Sequence, residues 1–339
     1  MHQRVQCDNY EVDLNPLLGE LSRFSHSTRI LVHAPNGLKH IYPCIENVLK
    51  SVADCECYFS ASPGYGACDI PVEEVEAVNA ELLVHIGHVK YPLSELNLAK
   101  VRVVYVPVYY TRQVEENTLR ELLSLLKSHG GNSVTLSSTL IELYARRQVA
   151  EYLRRSGIVV HELENPVLGC FYSHVVSLEE HVDAHVIVSG GVFHPLGLGL
   201  LASKPVIALD PYMSRVWLVN AEAAKTVKKR LYVILRAKES GSRVGLIIGA
   251  RPGQHRPSLI ALLEKEAFSR GYRVYRIVSS YLTLERLIAI DSALNLDFYV
   301  VSSCPRLPID DLAEFHKPVL TPGEFLMLTR GIQRYVYPW

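Results

Sequence analysis

The chain has 339 residues, 48% of them apolar and 21% charged, which is enough length for two or three domains with sizeable cores. Lysine plus arginine equals aspartate plus glutamate at 35 each, so there is no general positive field to grip nucleic acid. The cysteine count of seven is odd, and no apolar signal segment follows Met1-His2-Gln3-Arg4, so a reducing cytoplasm is expected and disulfides are not.

In chain order, the first β-branched run is Arg29-Ile30-Leu31-Val32-His33-Ala34-Pro35, followed by a strand predicted at 56–60. Cys55 and Cys57 share one face of that strand, where packing is the preferred account over a metal pair. The turn Tyr65-Gly66-Ala67-Cys68 comes next, then strands at 82–87 and 102–106. Leucines at helical spacing predict a helix over 119–129, closed by Gly130-Gly131.

The pattern then repeats. Strands are predicted at 133–138 and 158–162, the turn Leu168-Gly169-Cys170 follows, and further strands run over 185–190 and 204–209. His181 and His185 have i, i+4 spacing but straddle a helix-to-strand junction, which favours a structural role. The stretch 186–203 lacks formal charges and has the length of a membrane span, yet Gly190, Gly191, His194, Pro195, Gly197 and Gly199 interrupt it. A buried strand, a glycine-rich loop and a short helix explain it better, and no membrane association is expected. A lysine-rich solvated helix over 220–240 opens the third copy. Its strands are predicted at 245–250, 273–278, 298–303 and 317–320, with an amphipathic helix over 258–269 running to Gly271.

The first strands of the copies start about one hundred residues apart, the size of a single domain. The expected fold is therefore α/β, with three similar Rossmann-like parallel-sheet domains in pseudo-threefold arrangement. Boundaries near 130 and 220 give domains 1–130, 131–219 and 220–339. Each carries one cysteine just past a strand: Cys68, Cys170 and Cys304, the last within Ser303-Cys304-Pro305-Arg306.

In open parallel sheets, ligands collect beyond the carboxyl ends of the strands, where these cysteines fall. Soft thiolates favour zinc or iron-sulfur clusters, and a 4Fe-4S cube held by only three of them keeps one iron open. The competing account is incidental buried thiols, because the cysteines are scattered and lack compact ligand spacing. Cys68 and Cys170 lie several residues after second strands while Cys304 directly follows a third, so they are not equivalent repeat positions.

The glycine-rich segment with Gly190, Gly191 and His194 offers a cofactor close approach to backbone, or else forms a tight turn for conformational reasons alone. Arg306 either lends positive charge to a cluster or substrate carboxylate or is a solvated arginine at a helix start. His85, His88, His194 and His255 lie near strand ends or loops, where they orient a carboxylate, act on a proton or only complete local hydrogen bonds.

Over nearly the whole chain, ordered pieces resemble the archaeal diphthamide-biosynthesis enzyme family, 2-(3-amino-3-carboxypropyl)histidine synthase. They are Pro35-Asn36-Gly37-Leu38-Lys39, Tyr65-Gly66-Ala67-Cys68-Asp69, His85-Ile86-Gly87-His88, Leu168-Gly169-Cys170, Gly190-Gly191-Val192-Phe193-His194-Pro195-Leu196-Gly197, Leu209-Asp210-Pro211-Tyr212, Gly253-Gln254 and Cys304-Pro305-Arg306-Leu307. The resemblance implies that Cys68, Cys170 and Cys304 hold a 4Fe-4S cluster and that the protein is a homodimer. It also implies radical transfer of the 3-amino-3-carboxypropyl group of S-adenosylmethionine to carbon 2 of a histidine in translation elongation factor 2, with an external electron donor. Two departures touch loop detail: Ser60-Ala61-Ser62-Pro63-Gly64 stands where an aspartate often appears, and Val89-Lys90 replaces a frequent Ser-Cys. The conventional CxxxCxxC loop of radical S-adenosylmethionine enzymes is absent from the sequence. Competing readings are a quinolinate-synthase-like enzyme, whose open iron acts as a Lewis acid, and a noncatalytic scaffold or electron-relay subunit.

Overall fold

The structure is a computed structural model that describes residues 3–90 and 102–338, so the first two residues of the Met1-His2-Gln3-Arg4 start lie outside the described residues. The chain divides into two compact units, Met1–Pro195 with Lys204–Leu218, and Leu196–Ser203 with Val219–Trp339.

In the first unit the strands are β1 (Arg4–Cys7), β2 (Tyr10–Asp13), β3 (Thr28–His33), β4 (Cys55–Phe59), β5 (Leu82–Ile86), β6 (Arg102–Val106) and β7 (Val108–Tyr110). They continue as β8 (Ser133–Ser138), β9 (Val159–Glu162), β10 (Ala184–Val188), β11 (Val206–Asp210) and β12 (Arg215–Leu218). Two sheets form around parallel pairs, in the orders β4-β3-β5-β6 and β9-β8-β10-β11-β12. Every residue of β5, β10 and β11 is buried, as expected of inner strands covered on both faces.

Helices cover these sheets. The helix Tyr42–Val52 starts on a proline in its first turn and buries Ile45 and Leu49, four residues apart on one face. The helix Glu116–Ser128 buries Leu119, Leu122 and Leu126, each worth about 1.5–3 kcal/mol of transfer free energy. Its stop was correctly read from glycine: Gly130 has φ +71°, and the Gly131 amide returns to the Leu126 carbonyl at 3.0 Å.

The second unit holds β13 (Arg243–Gly249), β14 (Arg273–Ser279), β15 (Phe298–Val301) and β16 (Val319–Leu320), all parallel, in the order β14-β13-β15-β16. All three parallel sheets thus place their strands as second, first, third, fourth. The topological switch in each lies between the first and third strands, where parallel sheets open a crevice.

Four features depart from the expectations. The chain opens with an antiparallel sheet, β1-β2-β7, whose strands of four, four and three residues are too short to announce themselves. An antiparallel edge strand, β12, closes the second sheet after a turn with Ser214 at φ +48°. Cys7 and Cys44 form a disulfide although none was expected; their separation of 37 residues carries no motif, and only the packing of the first hairpin on the helix Tyr42–Val52 pairs them. The helix Asn220–Glu239 is not simply solvated: it buries Ala223, Arg230, Ile234 and Ala237. Among the described residues no helix is long and apolar enough to cross a membrane, and the charge-free stretch resolves into β10, a loop and the helix Phe193–Gly199.

Candidate functional site

Cys68 sits in a loop that returns over the carboxyl rim of its sheet. The Ser60 amide donates to Val32 at 2.9 Å, extending the ladder one residue beyond β4. Gly64 then passes so near the end of β3 that a Cβ there would lie 2.9 Å from the Ala34 carbonyl carbon. Lys39 Nζ donates to the Ala61 and Ser62 carbonyls at 2.9 and 2.8 Å, which gives a physical role to the lysine of the Pro35–Lys39 motif. Asp69, buried, accepts from the Tyr65 amide at 3.2 Å, and the Tyr105 hydroxyl on β6 donates to the Ala67 carbonyl at 3.3 Å. Burial, with Cys68 nearby as a second cause, raises the Tyr105 phenol and keeps it protonated.

Cys170 lies in the turn Leu168–Phe171, closed by the Phe171 amide on the Leu168 carbonyl at 3.0 Å. The Val167 amide ties the approach to the Ser138 carbonyl at the end of β8, at 2.9 Å. The Phe193 ring packs directly on Gly169, where a Cβ would displace it.

Cys304 follows β15 in the second unit. The Ser302 amide and hydroxyl both donate to the Ile247 carbonyl at 2.9 Å, and a Cβ at Gly249 would fall 2.7 Å from Ser303 Cβ, so first and third strands meet closely before the cysteine. The Leu307 amide closes a turn on the Cys304 carbonyl at 3.3 Å. Arg306 is 3% exposed, and its Nε and Nη2 donate to Asp310 at 2.7 and 3.2 Å. Its charge is therefore largely balanced within the second unit, and the solvated-arginine alternative does not hold.

All three cysteines are half-buried; Cys68 and Cys170 belong to the first unit and Cys304 to the second. Among the described residues no three His, Cys, Asp or Glu side chains are grouped to share a single metal ion. A cube makes a different demand, since each thiolate takes a separate iron.

The glycine segment is held by carboxylates. Gly191, at φ +65°, donates its amide to Asp210 Oδ2 at 2.8 Å, and the Gly190 amide bonds Glu142. These two N–H groups are engaged and the Tyr212 ring lies against Gly190, so the open space beside the backbone is at Gly191. The His194 carbonyl accepts from the Tyr172 hydroxyl at 3.1 Å. His255 Nδ1 lies 3.2 Å from the Gly249 carbonyl.

His85, buried at the end of β5, joins a row that sequence reasoning only half saw. Its Nδ1 faces His33 Nδ1 at 3.1 Å, and its Nε2 faces His88 Nδ1 at 2.9 Å. His33 had no periodic or motif signal; only strand register places it beside His85. Glu142, the N-cap of the helix Leu143–Arg155, was missed for the same reason.

The remaining candidates are structural. His185 is buried between Thr135 Oγ1 at 2.7 Å and Glu179 Oε1 at 3.2 Å, in keeping with its expected role. The Cys55 and Cys57 sulfurs lie 3.7 Å apart, and burial, reinforced by Cys55, pushes the Cys57 thiol up to about 12. A thiol held in that state is a poor ligand and nucleophile.

A family model described as "Putative diphthamide synthesis protein" matches residues 34–337. A 2-(3-amino-3-carboxypropyl)histidine synthase of Pyrococcus horikoshii is 28% identical, with 97% of this chain and 93% of the relative aligned. The human 2-(3-amino-3-carboxypropyl)histidine synthase subunit 1 is 26% identical, over 97% of this chain and 74% of the relative. The crystal structure of Dph2 from Pyrococcus horikoshii with a 4Fe-4S cluster superimposes with a TM-score of 0.79 at 25% identity, covering 99% of this chain and 94% of that one.

Proposed function

Because the chain belongs to the diphthamide-synthesis protein family, we propose that it is a 2-(3-amino-3-carboxypropyl)histidine synthase in which Cys68, Cys170 and Cys304 hold a 4Fe-4S cluster. The observation that carries this reading is that each of the three sheets of like strand order has one half-buried cysteine in a loop beyond its strands. Three soft thiolates suit an iron-sulfur cluster. The three-domain division at 130 and 220, in pseudo-threefold arrangement, belongs to the same proposal.

When bound, such a cluster would supply one electron and an open iron to S-adenosylmethionine: the carbon–sulfur bond to the 3-amino-3-carboxypropyl group breaks, methylthioadenosine leaves, and the group bonds to carbon 2 of a histidine in translation elongation factor 2, whose hydrogen departs as a proton and one electron. The chain's part is positioning. Lys39, Asp69 and Tyr105 fix the Cys68 loop, and Phe193 fixes the turn of Cys170. Gly190, Gly191, His194 and Arg306 are the candidate cofactor contacts. With Gly190 and Gly191 amides and two Arg306 nitrogens engaged, their contribution is chiefly shape. The proposal includes a homodimer, an external electron donor and a cytoplasmic setting.

The test is anaerobic incubation of reduced protein with S-adenosylmethionine and elongation factor 2. Methylthioadenosine release with a modified histidine is expected. Cluster content without release favours the relay reading, and absence of both the cluster and the product defeats the assignment.

A further inference from the structure

The loop that braces Cys170 is itself tied to a rigid helix through one buried carboxylate. Glu142 is 4% exposed and caps the helix Leu143–Arg155, whose Arg146 amide returns to the Glu142 carbonyl at 2.8 Å. A carboxylate so placed has to be compensated by donors. Four converge on it: the Thr139 hydroxyl, the Tyr212 hydroxyl at 2.9 Å, the Gly190 amide and its own amide.

Two of those donors lead to the rim. Tyr212 lays its ring against Gly190, where a Cβ would come within 3.0 Å, and its amide is fixed by Asp210 Oδ1 at 2.8 Å. Asp210 Oδ2 also takes the Gly191 amide at 2.8 Å. Two residues on, Phe193 packs on Gly169, the residue before Cys170. All of these residues lie within the first unit.

We propose that Glu142 is a positioning residue for Cys170: through Gly190 and Tyr212 it fixes the loop whose Phe193 ring sets the cysteine's turn. The inference rests on the reading of Cys170 as a cluster ligand for its purpose, and on the first unit's geometry alone for its mechanics. A buried carboxylate with charge-assisted hydrogen bonds is a stiffer tether than neutral pairs. Loss of the tether frees the loop without removing any ligand.

The test uses reduced, metal-free full-length protein and follows the alkylation rate of each cysteine by mass spectrometry. Glu142→Ala is expected to speed Cys170 by about tenfold, the factor that losing roughly one charged hydrogen bond imposes on a local opening equilibrium. Cys68 in the same molecules should react at the wild-type rate. Glu142→Gln, whose amide oxygen still accepts from Gly190 and Tyr212 but without the charge, should show a smaller rise than Glu142→Ala. Should Glu142→Ala not fold, Tyr212→Phe keeps the ring, loses one bond and should show a smaller rise at Cys170. Reconstituted Glu142→Ala is expected to show a shifted electron paramagnetic resonance spectrum. An unchanged Cys170 rate in every folded variant, or equal acceleration of Cys68 and Cys170, overturns the inference. If wild type takes up no iron, the cluster reading fails instead, while the alkylation comparison still decides the tether.

Discussion

His33 and His85 face one another from adjacent parallel strands with their Nδ1 atoms 3.1 Å apart, at the point where the order of the first sheet reverses. Two facing ring nitrogens share one proton, so neutral rings make the row His33, His85, His88 a directional chain. Burial, with the neighbouring histidines as further causes, holds His85 well below the usual imidazole range, and burial with His33 nearby brings His88 down to about 4.

A histidine with a depressed folded-state value binds protons more readily when unfolded. Its contribution to stability is present above about pH 6.5 and lost as pH falls towards 4. Thermal-unfolding midpoints taken from about pH 7.5 down to about 4.5 should fall in wild type, and less steeply in His88→Asn. Equal slopes contradict the burial argument.

Arg230 and Glu324 form a buried pair in the second unit, with Nε–Oε1 2.7 Å and Nη2–Oε2 2.6 Å. Arg230 also donates to the Pro308 and Val319 carbonyls, and Tyr335 donates to Glu324 at 2.8 Å. Removing one partner strands the other charge, so Glu324→Ala should cost about 3–5 kcal/mol in denaturant unfolding. The double change Arg230→Met with Glu324→Leu should recover much of that loss. A single variant within experimental error of wild type contradicts the pairing.

The disulfide between Cys7 and Cys44 closes a separation of 37 residues and fastens the first hairpin to a helix of the first sheet. Loop-closure entropy for that length predicts that Cys44→Ser, or full reduction, lowers stability by roughly 3–4 kcal/mol. Denaturant midpoints with and without reductant measure this. Identical midpoints, with the bond verified by mass spectrometry in the oxidised sample, contradict it.

Sequence legibility followed the range of the interactions. Buried parallel strands announce themselves as continuous apolar runs, so β5, β10 and β15 were found within two residues. Glycine stops located the ends of the helices Glu116–Ser128 and Pro257–Ser269. The sheet β1-β2-β7 was illegible because β2 and β7 pair across almost one hundred residues with short, partly polar strands. The same holds at the site. Cysteines at strand ends were visible, whereas the Glu142–Tyr212 and His33–His85 pairs emerge only when the chain folds back, across 70 and 52 residues. Lys39 was seen as part of a motif, but its work of holding two loop carbonyls was not.

The Cys55 and Cys57 pair supplies an internal control. With Cys57 pushed up to about 12 and packed among apolar side chains, Cys57→Ala should leave iron uptake at the wild-type level. Reduced uptake in that variant would assign the pair a role in metal handling.

Iron and sulfide analysis of anaerobically purified wild type beside Cys68→Ala, Cys170→Ala and Cys304→Ala tests the central claim most directly. The account predicts one 4Fe-4S cluster per wild-type chain and severe loss in each of the three variants, each still folded by circular dichroism. Wild-type iron retained after any one of these replacements would contradict it.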